Sequence, residues 1–565
     1  MRRVRVLVWW CATLLLSFAS CNSEEDSPLG SVSHPGGAKG AAAGSGGIAA
    51  GSSAVMPTGG GGSPAAVGQS GAAAGGAIAA MGGGVALGGA GRGSGGAAAA
   101  GGGAGGAAGG AGGPLGAGTA GNAGTAGNAG AAGNAGTAGM TSAVVEELDI
   151  ADVWSGHPVG FYLLTHQNRQ FVAFYDANRA LTVGDRSLDE STWRLVRLPT
   201  AVEWDSHNDI VMAIDEEGFI HLAGNMHSSP LIYFRSAAAL DIDTFQKLPM
   251  VGMNEASCTY PQFFRSPSGQ LVFMYRDGAS GNGNHIFNAY DASSKSWSRL
   301  LGSALTDGEG QRNAYPVGPI QGPDGLFHLV WVWRDTPDAS TNHDLSYARS
   351  ADLLNWQKAG AQPLMLPMRL STAEIVDPVP SGGGMINNNT KVGFDAEMRP
   401  IVGYHKFDQN GNTQLYNARF ENGTWVVHQT SNWDYRWDFG GGGTLVFEIE
   451  VQPVEQQPNG TLTQNFYHSQ YGGLGAFRLN PTTLAAEATI PQPVPYPASL
   501  ADVESPTPSM EVRWRKDAGS GPDAEIVYLL RWETLPSNRD MPRSPVPPPT
   551  KLRLYGFRAQ TAGSP

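Results

Sequence analysis

One apolar phrase keeps returning through this chain. Leu231-Ile-Tyr-Phe-Arg-Ser236 recurs as Leu345-Ser-Tyr-Ala-Arg-Ser350. Weaker copies stand at Gln170-Phe-Val-Ala-Phe-Tyr175, Ile286-Phe-Asn-Ala-Tyr290, Gln414-Leu-Tyr-Asn-Ala-Arg419 and Gln464-Asn-Phe-Tyr-His-Ser469. Successive copies lie about 50 to 70 residues apart, and a tryptophan often follows: Trp193, Trp297, Trp356 or Trp425. Each interval offers about four short strands between Gly, Asp and Asn turns, and none has the periodicity of a long amphipathic helix. A unit this small cannot bury its apolar face alone and must stack on its neighbours. Repeated four-stranded units of this size predict an all-β fold, a seven-bladed β-propeller. Six copies and a last unit closed by Lys551-Leu-Arg-Leu-Tyr-Gly-Phe557 make up the seven, with six or eight as the alternatives, over residues 143–560.

Composition marks where that body begins. Between Gly30 and Met140 lie 43 of the 79 glycines, with no Asp, Glu, Phe, Trp or Tyr. Such a segment has too little apolar surface to offset its chain entropy, so residues 21–142 read as a disordered Gly/Ala-rich linker. Ahead of it, Arg2, Arg3 and Arg5 precede an apolar run from Val6 to Phe18, a signal-peptide pattern too short to span a bilayer. Phe18-Ala19-Ser20-Cys21 resembles a bacterial lipoprotein signal. Residues 1–20 are then the signal, Cys21 is the lipidated residue, and the chain is exported to the outer membrane or cell surface, the alternative being a secreted or periplasmic protein. After Cys11 leaves with the signal, only Cys21 and Cys258 remain, too few for a disulfide framework. From Thr141 onward 31 Lys+Arg face 46 Asp+Glu. An acidic body excludes nucleic acid as the main partner and leaves the lipid anchor as the only membrane contact. A monomer is expected.

Several units carry a recognisable hairpin turn: Asp215-Glu-Glu-Gly218, Ser266-Pro-Ser-Gly269, Pro323-Asp-Gly325 and Asp395-Ala-Glu-Met398. Equal offsets from a turn meet across an antiparallel pair. His207 and His227 flank the first turn at matched offsets, Tyr260 and Arg276 the second, Tyr315 and Arg334 the third, Asn387 and His405 the fourth. If the hairpins are equivalent, all eight open on one face, where convergent polar groups make a site. His207, His227, Tyr260 and Arg276 differ in type from their counterparts in other units, which marks them as the catalytic candidates. Tyr315, Arg334, Asn387 and His405 are the candidates for substrate binding.

Other polar residues recur at equivalent places and read as scaffold. His221 and His328 each stand three residues after a turn glycine, and Arg235, Arg349 and Arg419 repeat likewise. Asp291 with Trp297 and Asp352 with Trp356 look like degraded Asp-box turns. Trp433-Asp-Tyr-Arg-Trp437 either stacks sugars or fills a junction between units.

Trp204-Asp-Ser-His-Asn-Asp209, Gly218-Phe-Ile-His221 with His227, Cys258-Thr-Tyr-Pro-Gln-Phe-Phe264, Tyr275-Arg-Asp-Gly278 and Asn342-His-Asp-Leu345 together resemble the BNR-repeat propellers of the ulvan lyase type. That resemblance implies activity on rhamnose–glucuronate linkages, and a site of two His, a Tyr and an Arg at His207, His227, Tyr260 and Arg276. It implies an anionic polysaccharide as partner. Some relatives hold a structural metal, but no ligand set here is specific enough to assign one, and the chemistry requires no cofactor. β-Elimination at a 4-linked uronate must remove the C5 proton, which demands neutralisation of the carboxylate and a base. Arg276 is expected to neutralise, and Tyr260 or His207 to take the proton. Two alternatives stand beside the lyase: a rhamnosidase acting on rhamnose linked to glucuronate, and a non-catalytic glycan-binding propeller.

Overall fold

The computed structural model describes residues 142–492 and 496–559. The expected signal over 1–20, Cys21 and all but the last residue of the 21–142 linker lie outside the described residues. The described chain is all β, with three short 3-10 turns.

Seven antiparallel sheets follow one another among the described residues. The first comprises Tyr162–His166, Arg169–Tyr175, Ala180–Ser187 and Arg194–Ala201, hydrogen-bonded in chain order. The second runs from Val211 to Lys247, the third from Cys258 to Arg299, the fifth from Lys391 to Gln429 and the sixth from Ile449 to Ile490, each a four-strand meander. The fourth departs from the expected four strands. It starts at Asn313–Gln321 and has six, because Pro363–Leu364 extends the edge and Glu374–Asp377 pairs back onto Asn342–Ser350.

The seventh sheet closes the chain on itself. Glu511–Lys516, Ile526–Thr534 and Thr550–Ala559 take Ser142–Val153 as a fourth strand, paired from Ser142↔Ala559 to Val153↔Thr550. The first six sheets pack on one another in order, and the seventh packs on the first, through Tyr162–His166 and Glu511–Lys516. The result is propeller-like, with apolar clusters between the sheets. One cluster joins Phe161, Phe174 and Ile210 to Trp532 and Leu554 across the closure.

The recurring phrase has a physical job. In the second sheet buried His221 contacts the Tyr233 hydroxyl through Nδ1 at 2.7 Å and Asp215 through Nε2 at 3.2 Å. In the fourth, His328 does the same with Tyr347 at 2.7 Å and Asp324 at 3.0 Å. One turn Asp, one His and the Tyr of the repeated phrase thus lock three strands together, as their scaffold reading requires. Trp433 and Trp437 are buried in a cluster with Phe447 and Phe466 and fill a junction between sheets.

His405 belongs to that junction too. It is wholly buried, its ring 5.3 Å from that of Trp437 and 6.3 Å from that of Phe439. Burial pushes its pKa down to about 3. His405, expected among the substrate-binding residues, is thus placed in the core, at the end of its strand that the matched offset gives and under the aromatic loop.

His285 is held neutral by burial with a pKa of about 3, and His157 with a pKa of about 4. In the unfolded chain all three imidazoles protonate near pH 6.5, so below that value the unfolded state binds more protons and folding weakens. Each unit of depression is worth about 1.4 kcal/mol. The melting temperature is expected to fall steeply between about pH 6.5 and 4. Calorimetry showing a flat melting temperature across that window would mean that these imidazoles titrate in the folded protein as they do in water.

Candidate active site

The Asp205–Asp209 turn builds the first wall. Asp205 Oδ1 accepts the His207 backbone N–H at 2.9 Å, an Asx turn that fixes the residue two positions on. Tyr175 donates its hydroxyl to the Asn208 carbonyl at 2.6 Å, and Gly160 N–H donates to Asp209 Oδ1 at 2.6 Å. The turn is thereby tied to the first sheet. His227 arrives on the loop after Ile220–Ala223, between Asn225 and Ser228, both in the left-handed region at φ +60° and +46°.

The two imidazoles stack, with ring centroids 3.9 Å apart and planes inclined by 19°. Both turn Nδ1 to one carboxylate: His207 to Asp205 Oδ1 at 2.8 Å, His227 to Asp205 Oδ2 at 2.5 Å. Burial alone would raise the Asp205 pKa, but hydrogen bonds from both histidines and their charge outweigh it and hold the carboxyl well below the usual range. An ionised carboxylate only accepts, so both Nδ1 atoms carry hydrogen. His207 Nε2 is buried and has no hydrogen-bond partner among the described residues.

Asp205, His207 and His227 also lie within metal-ligand reach of one another. The ring geometry does not fit a shared ion. A metal sits close to the plane of each imidazole that binds it, and two nearly parallel rings 3.9 Å apart cannot both hold one ion in plane. A carboxylate, whose two oxygens serve the two rings separately, matches the arrangement.

Tyr260 forms the second wall and carries the strain. The strand Cys258–Arg265 pairs Thr259 with Arg276 and then Gln262 with Met274, so a bulge falls at Tyr260 and Pro261. Tyr260 sits at φ +56°, uncommon for a bulky residue, and immediately before a proline. Bulges re-aim side chains, and backbone strain of this kind gathers at functional sites. Here the bulge brings the Tyr260 ring 6.3 Å from that of His207 and 6.1 Å from that of Tyr315. The Arg276 guanidinium carbon lies 5.1 Å from the Tyr260 centroid. Arg276 donates from Nη2 to Thr259 Oγ1 at 2.7 Å and to Ser228 Oγ at 3.0 Å. Gly283 keeps its place open, since a Cβ there would stand 3.0 Å from Arg276 Cγ and Cδ.

His207, His227, Tyr260 and Arg276 therefore come together on one face, but not equally at the surface. His207 and Arg276 are fully buried, whereas His227 and Tyr260 keep some exposure. Arg276 stands behind Tyr260 instead of at the lip where a neutralising group was expected. Tyr315 is buried next to Tyr260, its hydroxyl 2.8 Å from Ser280 Oγ. Arg334 is buried over Tyr315, with its centre 5.6 Å from the ring, and donates to the carbonyls of Thr336, Pro337 and Asp338. It braces its own loop. Asn387 is buried and accepts from Asn342 Nδ2 at 3.1 Å. Both positions, expected at the substrate, sit in the wall, because offset along a strand fixes height and not depth.

Sequence reasoning passed over Asp205, although its spacing two residues before His207 is the Asx-turn signal. It also passed over Ser228, Thr259 and Asp540, which no local pattern marks.

Residues 169–433 match the model of the BNR repeat-containing family member. The short-isoform ulvan lyase of Alteromonas sp. (strain LOR) is 35% identical over 81 residues, 14% of this chain and 15% of that protein. The long-isoform ulvan lyase of Pseudoalteromonas sp. (strain PLSV) is 44% identical over 45 residues, 8% of this chain and 4% of that protein. The matched segments thus span less than a sixth of either relative. A solved ulvan lyase bound to -[GlcA(1-4)Rha3S]- is 12% identical with a TM-score of 0.47, covering 72% of this chain and 95% of that one. Residues 169–433 thus carry the pattern of the BNR repeat-containing family, and the chain is related in part of its sequence to the ulvan lyases.

Proposed function

We propose that this protein is a polysaccharide lyase that cleaves a uronate-containing polymer of the rhamnose–glucuronate, ulvan-like kind by β-elimination. The observation that carries this reading is Tyr260, strained into the left-handed region between a stacked histidine pair and a guanidinium. His227, partly exposed and backed by Asp205, meets the uronate carboxylate as an imidazolium and lowers the cost of the enolate-like state. The Tyr260 oxygen takes the C5 proton and returns it to the departing O4. The buried Arg276 charge stabilises Tyr260 as the phenolate that takes the C5 proton, the form to which it returns once O4 is protonated. The C5–H and C4–O4 bonds break, a C4–C5 double bond forms, and no water is consumed.

A hydrolase of the usual kind needs two carboxyl groups facing the glycosidic bond. Asp205 is engaged by two histidines, and Asp540 by Ser206 and Thr444. This favours the lyase over the rhamnosidase. The same reading takes the protein as exported and held through Cys21, because its polymeric substrate lies outside the cell.

The test incubates the full chain with uronate polysaccharides and follows ultraviolet absorbance, since the unsaturated product absorbs and the substrate does not. New absorbance supports the lyase. New reducing ends without absorbance mean a hydrolase, and binding without product means a glycan-binding protein. In the first case a chelator is expected to leave the rate unchanged, and loss of activity restored by a divalent ion would overturn the metal-free mechanism. Arg276→Ala is expected to cost about a hundredfold in kcat, as loss of a buried charge that stabilises the transition state does. Arg276→Lys keeps the charge and should recover part of it. Equal rates for wild type and Arg276→Ala would remove the guanidinium from the mechanism.

A further inference from the structure

The loop between Ile526–Thr534 and Thr550–Ala559 reaches the histidine pair from the far end of the chain. Arg539 and Asp540 stand there side by side in the left-handed region, at φ +61° and +59°. Two consecutive non-glycine residues in that conformation carry a cost that surrounding contacts must hold in place. Those contacts converge on the Asp540 carboxylate. Oδ1 accepts from the Ser206 backbone N–H at 3.0 Å and from the Ser206 hydroxyl at 2.9 Å. Oδ2 accepts from Thr444 N–H at 2.9 Å, and the Thr444 hydroxyl donates to the same carboxylate at 2.8 Å.

Arg539 completes the clamp. Its N–H donates to the Thr444 carbonyl at 3.0 Å, and its guanidinium donates to the carbonyls of Gly440 at 3.0 Å and Gly442 at 2.7 Å. Gly443, at φ +78°, has no room for a Cβ, which would fall 2.5 Å from the Arg539 carbonyl oxygen. Three segments far apart in sequence, 205–207, 440–444 and 539–540, thus meet on one side chain. Asp540 Oδ2 stands 3.6 Å from His207 Nδ1, beyond a hydrogen bond, while Asp205 holds that nitrogen at 2.8 Å. Asp540 therefore acts on the turn that carries His207, not on the imidazole.

We propose that Asp540 is a positioning residue of the active site: it clamps the Asp205–Ser206–His207 turn to the loop at 440–444 and so fixes the buried His207 ring against His227 and Tyr260, the groups that meet the substrate. This rests on the lyase reading of the site. A small displacement of a catalytic group costs up to about a hundredfold in rate without weakening ground-state binding.

Three full-length variants test it against the uronate polysaccharide that the wild type cleaves. Asp540→Ala is expected to lower kcat by about tenfold to a hundredfold, with KM within about twofold. Asp540→Asn keeps an acceptor oxygen for Ser206 and should recover most of the loss. Thr444→Val, nearly isosteric, loosens the same clamp and lowers kcat by about threefold at unchanged KM. Unchanged kcat in Asp540→Ala, or a rise in KM with kcat intact, overturns the assignment. Should Asp540→Ala fail to fold, wild-type kcat in Thr444→Val overturns it. Independently of turnover, the His207 ring-nitrogen resonances of 15N-histidine-labelled protein should move in Asp540→Ala or Thr444→Val, while those of His221 stay. If the wild type yields no unsaturated product, the lyase reading fails on its own, and unmoved His207 resonances would still overturn the role of Asp540.

Discussion

Tyr260→Phe is expected to lower the rate of eliminative cleavage by about a hundredfold to ten-thousandfold, the usual contribution of a general acid–base group. The change deletes one oxygen. The ring stays between His207, Tyr315 and Arg276, so the packing that holds the bulge survives. The loss should fall on kcat, because the hydroxyl works on the proton in flight and adds little to ground-state binding. A strained residue also offers a control. Glycine relieves the left-handed backbone at φ +56°, so Tyr260→Gly should melt no lower than Tyr260→Ala, while both abolish turnover. Wild-type rates in Tyr260→Phe would pass the proton transfer to a histidine Nε2.

How far the sequence discloses this site follows from what a repeat can and cannot encode. The hairpin turns set a ruler, and matched offsets put His207, His227, Tyr260 and Arg276 at the same end of their sheets, where the structure has them. The same ruler put Arg334, Asn387 and His405 at that end and says nothing of depth. Depth is decided by loops from elsewhere: the aromatic segment around Trp437 covers His405, and the 336–338 carbonyls take Arg334. Break of pattern is the better guide. His221 and His328 repeat and lock strands, whereas His207 and His227 have no counterpart and converge on a carboxylate.

The ring closure was half legible. Thr550–Ala559 carries a visible strand pattern, but its partner Ser142–Val153 lies about four hundred residues away, and no local period announces such a pairing. The bulge at Tyr260 was hidden for a different reason. Alternation through Cys258–Arg265 continues on either side of it, and only the paired register shows the extra residue. The clamp on Asp540 joins loops from two sheets to the His207 turn, so it exists only once the ring has closed.

Asp205→Asn is expected to cost about a thousandfold or more, because one carboxylate sets the state of two imidazoles. As Asp205 stands, each oxygen takes one Nδ1–H, at 2.8 and 2.5 Å, and Oδ1 also takes the His207 backbone N–H at 2.9 Å. An amide has a single acceptor oxygen. Its NH2 must face one of the two Nδ1 atoms, which then has to accept, and that ring is forced into the tautomer with hydrogen on Nε2. The charge that favours an imidazolium at His227 is lost in the same step. Losing the carboxylate behind a catalytic imidazole costs about ten-thousandfold where geometry is otherwise preserved. A pH signature separates this from plain destabilisation. The Asp205 carboxyl is held well below the usual range, so its contribution to folding is complete above about pH 4 and is lost only as the pH falls towards its depressed folded value. At neutral pH the variant should therefore melt lower than wild type, and the gap should close in strong acid. If Asp205→Asn melts lower yet keeps its rate, Asp205 supports the fold and the two histidines do not depend on it for catalysis.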